Sequence, residues 1–109
     1  MNVTISGDAF LDYVMDILSP LYTIKARKMF GGYGLYTNGK IFGLIAKKEL
    51  YFKANEKASE WFMQFDSEPF SYERNRKIIK MSYWKVPPEI LEDQESLEQW
   101  LRVSLQDKI

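Results

Sequence analysis

Three segments of the chain carry apolar residues at helical spacing: 7–18, 56–66 and 94–106. In each segment the apolar side chains fall on one face of a helix and the polar side chains on the other, which predicts amphipathic helices. A residue of the type that caps a helix N-terminus precedes or opens each segment: Ser6, Asn55 and Asp93. The pattern therefore predicts three helices, each with one face available for packing.

Between the first two helices the apolar residues alternate with polar or small ones, which predicts strands. The predicted strands are 25–30, 33–37, 40–47 and 50–53. Asn38-Gly39 is a strong hairpin signal, because both residues tolerate the positive φ of a type I′ turn. Gly31-Gly32 is interpreted as a bend or bulge, and a second reversal is expected around Lys48.

Two further strands are predicted at 70–72 and 78–86, separated by a polar turn or loop at 73–77. Pro87-Pro88 ends the second of them, since proline cannot donate to a strand ladder. The order is therefore one helix, four strands, one helix, two strands and one helix. This order predicts an α+β fold of two layers, in which helices cover one face of an antiparallel β-meander sheet.

A length of 109 residues, 46% of them apolar, fits one domain spanning 1–109. The chain has no cysteine and no histidine, which excludes thiol and imidazole chemistry and the usual zinc sites. We therefore expect no enzyme, no cofactor and no bound transition metal. The first twenty residues hold three aspartates and no basic residue, and the longest apolar run, 41–46, is too short to span a bilayer. A cytoplasmic protein without membrane contact is expected.

The net charge is zero, but the basic residues are concentrated in the middle of the chain. Residues 25–85 hold thirteen lysines and arginines against six acidic residues. Three clusters could make the protein a direct nucleic-acid binder: Lys25/Arg27/Lys28, Lys47/Lys48 and Arg74/Arg76/Lys77/Lys80. Because the total charge is neutral and no helix-turn-helix signature is present, we expect no sequence-specific DNA binding by the domain alone.

Gly31, Gly32 and Gly34 do not form a phosphate-binding loop, because they lead into a strand rather than a helix. A structural role in a bulge or in backbone packing is favoured for them. Approach of a ligand stays open, and with it a small-ligand protein or unrecognised enzyme that uses a groove beside Gly31-Gly32. Aromatic residues interleaved with lysines at 28–33, 51–53 and 82–85 are divided by strand alternation between the core and a binding face.

Several motifs recur in an order typical of one family: Met29 to Gly34, Phe42-Gly43, Leu50 to Lys53, and Tyr83-Trp84 through Val86-Pro87. With them, nearly the whole chain resembles the amino-terminal domain of the TfoX/Sxy family of competence regulators. The resemblance implies a two-layer α+β fold. Longer members join this domain to a carboxy-terminal helical domain and act as coactivators with a cyclic-AMP receptor protein. Because this chain ends at Ile109, a single-domain relative is expected.

The resemblance implies a non-enzymatic regulatory module that works through protein contacts. The expected partner is the transcription machinery or a regulator like the cyclic-AMP receptor protein, and a homodimer stays an alternative. The predicted binding surface follows the family motifs, which bring glycine backbone, aromatic tips and lysines together. Its residues are Lys28, Phe30, Gly31, Gly32, Tyr33, Gly34, Lys53, Tyr83, Trp84 and Lys85.

Overall fold

A computed structural model describes residues 8–29, 31–65 and 67–105. The helices in this part of the chain are α1 (Ala9–Leu18), α2 (Glu56–Met63), α3 (Pro88–Leu91) and α4 (Gln94–Leu105). The strands are β1 (Lys25–Met29), β2 (Gly32–Thr37), β3 (Lys40–Ala46), β4 (Glu49–Lys53), β5 (Pro69–Arg74) and β6 (Lys77–Lys85). They form one six-stranded sheet in the order β1-β2-β3-β4-β6-β5, with every neighbouring pair antiparallel. The predicted α+β class and the meander of the first four strands are confirmed.

The Asn38-Gly39 turn forms as predicted. Thr37 pairs with Lys40 across it, and both central residues have positive φ, 52° at Asn38 and 78° at Gly39. These values identify the type I′ turn, whose twist matches that of the flanking strands. Of the two alternatives for Gly31-Gly32, a bend or a bulge, the structure has a reversal at Gly31 and no bulge. Gly31 lies in the turn before β2 with a φ of 77°, Gly32 already belongs to β2, and the sheet irregularity lies between Leu35 and Tyr36.

Two other hairpins close with the same left-handed backbone but without glycine. Lys47 and Lys48 connect β3 to β4 with φ values of 53° and 62°. Asn75 and Arg76 connect β5 to β6 with values of 53° and 65°. The predicted loop over 73–77 is therefore too long. Only the two central residues form the turn, because asparagine tolerates this conformation well enough for the strands to continue to its edge.

The helix boundaries differ from the predicted ones at several ends. Ser6 lies outside the described residues, and α1 is capped by Asp8, whose carboxylate accepts the amides of Phe10 and Leu11 at 3.0 and 3.1 Å. Asn55 caps α2 as predicted and accepts the amide of Ala58 at 2.8 Å. The helix α2 ends at Met63, before the predicted end at 66.

The last part of the chain holds one helix more than predicted. The segment after β6 forms the single-turn helix α3, since proline at its start is suited to the first helical turn. The following helix, α4, begins after Asp93, whose carboxylate accepts the hydroxyl of Ser96 at 2.6 Å. Residue 106, the predicted end of α4, lies outside the described residues.

All the long helices pack on the same face of the sheet. Their buried side chains share one cluster with strand residues such as Leu35, Phe42 and Phe52. Aromatic rings join α2 to α4, where Phe62 stacks on Trp100 with 4.7 Å between the ring centroids. Phe65, just after α2, is 45% exposed but still contacts Trp100. The core therefore lies between the helices and one side of the sheet.

Candidate functional site

The sheet has a second face on which no described helix packs. The register assigns the side chains to this open face, because directly opposite residues of an antiparallel pair point to the same side. Its residues come from five neighbouring strands: Lys25, Arg27, Met29, Gly34, Tyr36, Ile41, Leu44, Glu49, Tyr51, Lys53, Tyr83 and Lys85. We call this set the open face.

Three tyrosines and two aliphatic residues form the middle of the open face. Tyr36 and Ile41 are a cross-strand pair, and so are Leu44 and Tyr51. Tyr83 is only 9% exposed although it lies on this side, and burial raises the pKa of its hydroxyl, with Tyr36 raising it further. The middle of the open face is therefore an apolar surface whose tyrosines carry polar tips.

Basic side chains surround this apolar middle. The guanidinium of Arg27 lies 5.9 Å from the centroid of the Tyr36 ring, in cation–π range. Lys53 is exposed and pairs across the strands with Tyr83. Such a mixture of aromatic residues and cations, with charge at the rim, is typical of protein interfaces.

Glu49, Tyr51 and Lys85 form a polar network at one side of the open face. The Lys85 ammonium lies 2.7 Å from the Glu49 carboxylate, and the Tyr51 hydroxyl donates to the same carboxylate at 3.0 Å. The hydrogen bond from Lys85 holds the pKa of Glu49 below its usual value. Desolvation, and then the bond to Glu49, raise the pKa of Tyr51 to about 12, and the Glu49 bond raises the pKa of Lys85. At neutral pH the Glu49 carboxylate and the Lys85 ammonium are therefore charged, and the Tyr51 hydroxyl is neutral.

The structure divides the predicted site residues between the two faces of the sheet. Gly34, Lys53, Tyr83 and Lys85 lie on the open face. Lys28, Tyr33 and Trp84 point to the helix side: Tyr33 and Trp84 pack against the core cluster, and Lys28 pairs with Tyr33. The indole of Trp84 donates to the Ser59 hydroxyl of α2 at 3.0 Å. Phe30 lies outside the described residues.

The glycines of the family motif have a structural explanation. A β-carbon at Gly32 would overlap the carbonyl oxygen of Ile45, so the backbones of β2 and β3 approach too closely for any side chain there. A β-carbon at Gly34 would lie 2.6 Å from the Met29 sulfur and 3.2 Å from the Tyr36 ring. Gly31 provides the positive φ of the turn. The motif therefore holds β1, β2 and β3 together.

A groove with a volume of about 940 Å³ lies between α1 and the β1–β2 hairpin. Leu11, Ile24 and Tyr33 are among its lining residues, together with Lys25 and Tyr36. Its walls reach the Asn38-Gly39 turn and do not include Gly31 or Gly32. This groove is therefore a different one from the groove expected beside those two glycines.

Sequence reasoning did not select Tyr36, Ile41, Leu44 and Tyr51 for the site. Tyr36, Ile41 and Leu44 lie outside the family motifs from which the site was predicted, and on β3 the register shift opposite Leu35 and Tyr36 also changes the alternation before Gly43. Ser104 of α4 was also missed as a polar core residue. It is buried, and its hydroxyl lies 2.6 Å from the carbonyl oxygen of Lys53 and 3.3 Å from that of Phe42. A lone serine among apolar positions gives no signal that it joins a helix to two strands.

Neither a metal cluster nor a membrane span is found in the described part of the chain. Within residues 8–29, 31–65 and 67–105, no three acidic side chains are grouped so that they could hold a metal ion. No helix among the same residues is long and apolar enough to cross a membrane.

Comparison with known proteins gives two matches. The model of the family described as the TfoX N-terminal domain matches residues 16–108, which include every described strand and only the last three residues of α1. Protein Sxy of Escherichia coli (strain K12) is 24% identical over 90 residues, corresponding to 83% of this chain and 43% of the relative. The chain thus spans less than half of that protein's length. Since the family match covers most of the sequence and agrees with the observed fold, the chain belongs to the family of TfoX N-terminal domains.

Proposed function

We propose that this domain is a non-enzymatic regulatory module of the cytoplasm that binds a partner protein through its open face. The observation that carries the proposal is the apolar middle of that face, Tyr36, Ile41, Leu44, Tyr51 and Tyr83, which no described helix covers. Sheets with one face on a core and the other uncovered normally alternate apolar with polar side chains. Here both faces carry large apolar residues, which favours a second packing partner.

The chemistry of the face favours a protein over a small substrate. Its tyrosines are partly buried, offer large contact area and lose little conformational entropy on binding. Lys25, Arg27 and Lys53 at the rim add charge that attracts and orients an acidic partner surface. The family membership supports a competence-regulator-like role, with a cyclic-AMP receptor protein or the transcription machinery as the partner.

A binding measurement with matched charge reversals tests this proposal. The purified chain is immobilised, and the cyclic-AMP receptor protein of the same organism, with cyclic AMP, or its RNA polymerase is passed over it. Lys53→Glu reverses an exposed charge on the open face, and Lys57→Glu makes the same change on α2 in the opposite layer. We expect Lys53→Glu to weaken binding by a factor on the order of ten and Lys57→Glu by less than about twofold.

Two results would contradict the proposal. One is that the chain binds neither the cyclic-AMP receptor protein nor RNA polymerase. The other is an equal effect of Lys53→Glu and Lys57→Glu, because it would mean that total charge rather than the open face determines binding. Both variants alter exposed side chains, so circular dichroism spectra should match those of the unmodified protein.

A further inference from the structure

The outer part of the β5–β6 hairpin extends beyond the rest of the sheet. Only Tyr83, Trp84 and Lys85 of β6 pair with β4, while the strand itself begins at Lys77. Residues 77–82 therefore continue past the last β4 partner by about 20 Å at the usual rise of a strand. We call residues 71–82 the hairpin arm. All of them except Ile79 are exposed, so the arm is open to solvent on both faces.

The root of the arm is firmly attached. The Trp84 indole donates to Ser59 of α2, the Ser67 hydroxyl donates to the carbonyl of Lys85 at 2.5 Å, and the Ala54 amide donates to the carbonyl of Ser82 at 2.9 Å. The ladder of β5 and β6 then continues without a break from Ser71–Lys80 to Arg74–Lys77. The arm is thus an ordered ribbon held at one end.

The arm is basic on both faces and at its tip. Its four cations are Arg74, Arg76, Lys77 and Lys80, against one acidic residue, Glu73. The cross-strand pair Arg74–Lys77 lies on one face, and Lys80 lies on the other because it is an odd number of residues from Lys77. Arg76 occupies the turn itself with a φ of 65°. The positive charge therefore surrounds the ribbon.

We propose that the hairpin arm binds duplex DNA by entering a groove, with its cations on the phosphates of both walls. A two-stranded β-ribbon fits the major groove of B-DNA, which is about 12 Å wide and about 8.5 Å deep. An acidic protein surface would be met by one face of the ribbon, whereas a groove presents negative charge to both faces. The distribution of charge around the arm thus favours DNA.

An apolar side chain on the arm fits the same partner. Ile78 is 67% exposed, and its position on β6 directs it away from the open face. In a groove such a side chain contacts sugars, thymine methyl groups or base edges. Since the cations of the arm interact with phosphates, which carry no sequence information, binding is expected to be weak and without sequence preference.

The proposal is tested by fluorescence anisotropy with a labelled duplex of mixed sequence, about 24 base pairs long, between about 20 and 200 mM salt. Arg76→Gln/Lys80→Gln removes two cations from the arm. Lys47→Gln/Lys57→Gln removes two exposed cations from the β3–β4 turn and from α2. The arm variant should reduce the slope of log K against log salt by about 1.8 and weaken binding about tenfold at low salt, since each lost phosphate contact accounts for about 0.9 of slope. The control should change both quantities little.

Ile78→Ser distinguishes insertion into a groove from contact by charge alone. It should weaken binding severalfold while leaving the salt slope unchanged, because an apolar contact releases no counterions. Equal losses in the arm and control variants, or unchanged binding by Ile78→Ser, would overturn the proposal. Two further results together would overturn the proposal in favour of an acidic polypeptide as the partner. These are that polyglutamate binds the protein as tightly as the duplex does, and that the arm variant weakens the binding of both ligands equally. None of these results depends on the open face, which Lys53→Glu tests separately.

Discussion

The ammonium of Lys85 lies 2.7 Å from the carboxylate of Glu49, and this ion pair links β6 to β4 at the point where the two strands begin to pair. Tyr51 donates to the same carboxylate, and Phe70 of β5 meets the Tyr51 ring edge-on with 5.1 Å between the centroids. The open face and the root of the hairpin arm are therefore joined by one set of contacts. The same contacts thus stabilise both proposed binding surfaces, the open face and the hairpin arm.

The Glu49–Lys85 pair should give the fold a stability term that disappears in acid. Because the pKa of Glu49 is lowered in the folded protein, the term is present above the ordinary value of 4.5 and is lost as the pH falls through the folded value. The pair is partly exposed, so its contribution is expected to be about 0.5 kcal/mol. Urea unfolding should show Glu49→Gln destabilised by this amount at neutral pH and equal to the unmodified protein once the pH lies below the folded pKa of Glu49. A difference that persists in acid would show that Glu49 acts through packing instead.

A glycine at position 48, in the β3–β4 turn, should make the protein more stable. Lys48 has a φ of 62°, a region that costs a residue with a β-carbon about 1 kcal/mol. Lys48→Gly should therefore raise the free energy of unfolding by about 0.5 to 1 kcal/mol. Lys48→Ala removes the same charge but keeps the β-carbon, so it should leave stability nearly unchanged. If the alanine variant is stabilised as much as the glycine variant, relief of charge rather than of backbone strain is the cause.

Two glycines of the family motif should respond differently to alanine. Gly32→Ala places a methyl group against the carbonyl of Ile45, which belongs to a paired strand and cannot move without breaking the ladder. Gly34→Ala meets the Met29 sulfur, which lies toward the end of a flexible side chain. Thermal unfolding should show a loss of about 2 to 4 kcal/mol for Gly32→Ala and clearly less for Gly34→Ala. Equal losses would mean that the close approach of β2 and β3 is not the reason for Gly32.

Tyr33 and Lys53, both in the predicted binding surface, should separate into a structural and a binding residue. Tyr33 packs against the core cluster, so Tyr33→Ala should lower the free energy of unfolding by about 2 kcal/mol or more. Lys53 is exposed on the open face, so Lys53→Ala should reduce partner binding and leave the melting temperature unchanged. Melting curves and the binding assay on the same samples test this. Loss of binding only in proportion to loss of stability would remove Lys53 from the site.

The fold followed from local signals that are strong in this chain. Asn38-Gly39 fixed the central hairpin, and the cap at Asn55 set the start of α2. The errors in the predicted site also have a local cause. The register shift between β2 and β3 places Ile41 and Leu44 on the same face although they are an odd number of positions apart, and a shift of one position moves a side chain to the other side of a sheet. The family motifs, from which the site was predicted, include Tyr33, which lies on the helix side, and do not include Tyr36.

The sequence predicted strands at 70–72 and 78–86 on either side of a turn or loop at 73–77, but not that both strands continue to the Asn75-Arg76 turn. Glu73, Arg74 and Lys77 suggested a loop, because charged residues are common in turns and no apolar alternation is evident there. Such residues can extend a ribbon when a tight Asn75-Arg76 turn sets its register and the root is held by a buried strand. This support comes from Trp84 and Ser59, which are distant in sequence. Long-range contacts of this kind cannot be inferred from local patterns.

The central claim, that the open face is the surface that binds the regulatory partner, is tested most directly by site-specific photocrosslinking. A benzoyl-phenylalanine probe replaces Tyr36 on the open face in one sample and Tyr13 in another. Tyr13 is a matched control, since it is also a tyrosine, is 41% exposed and lies on α1 in the opposite layer. With the purified cyclic-AMP receptor protein or RNA polymerase, we expect an adduct from position 36 and none from position 13. An adduct from position 13 alone, or equal yields from both, would contradict the account.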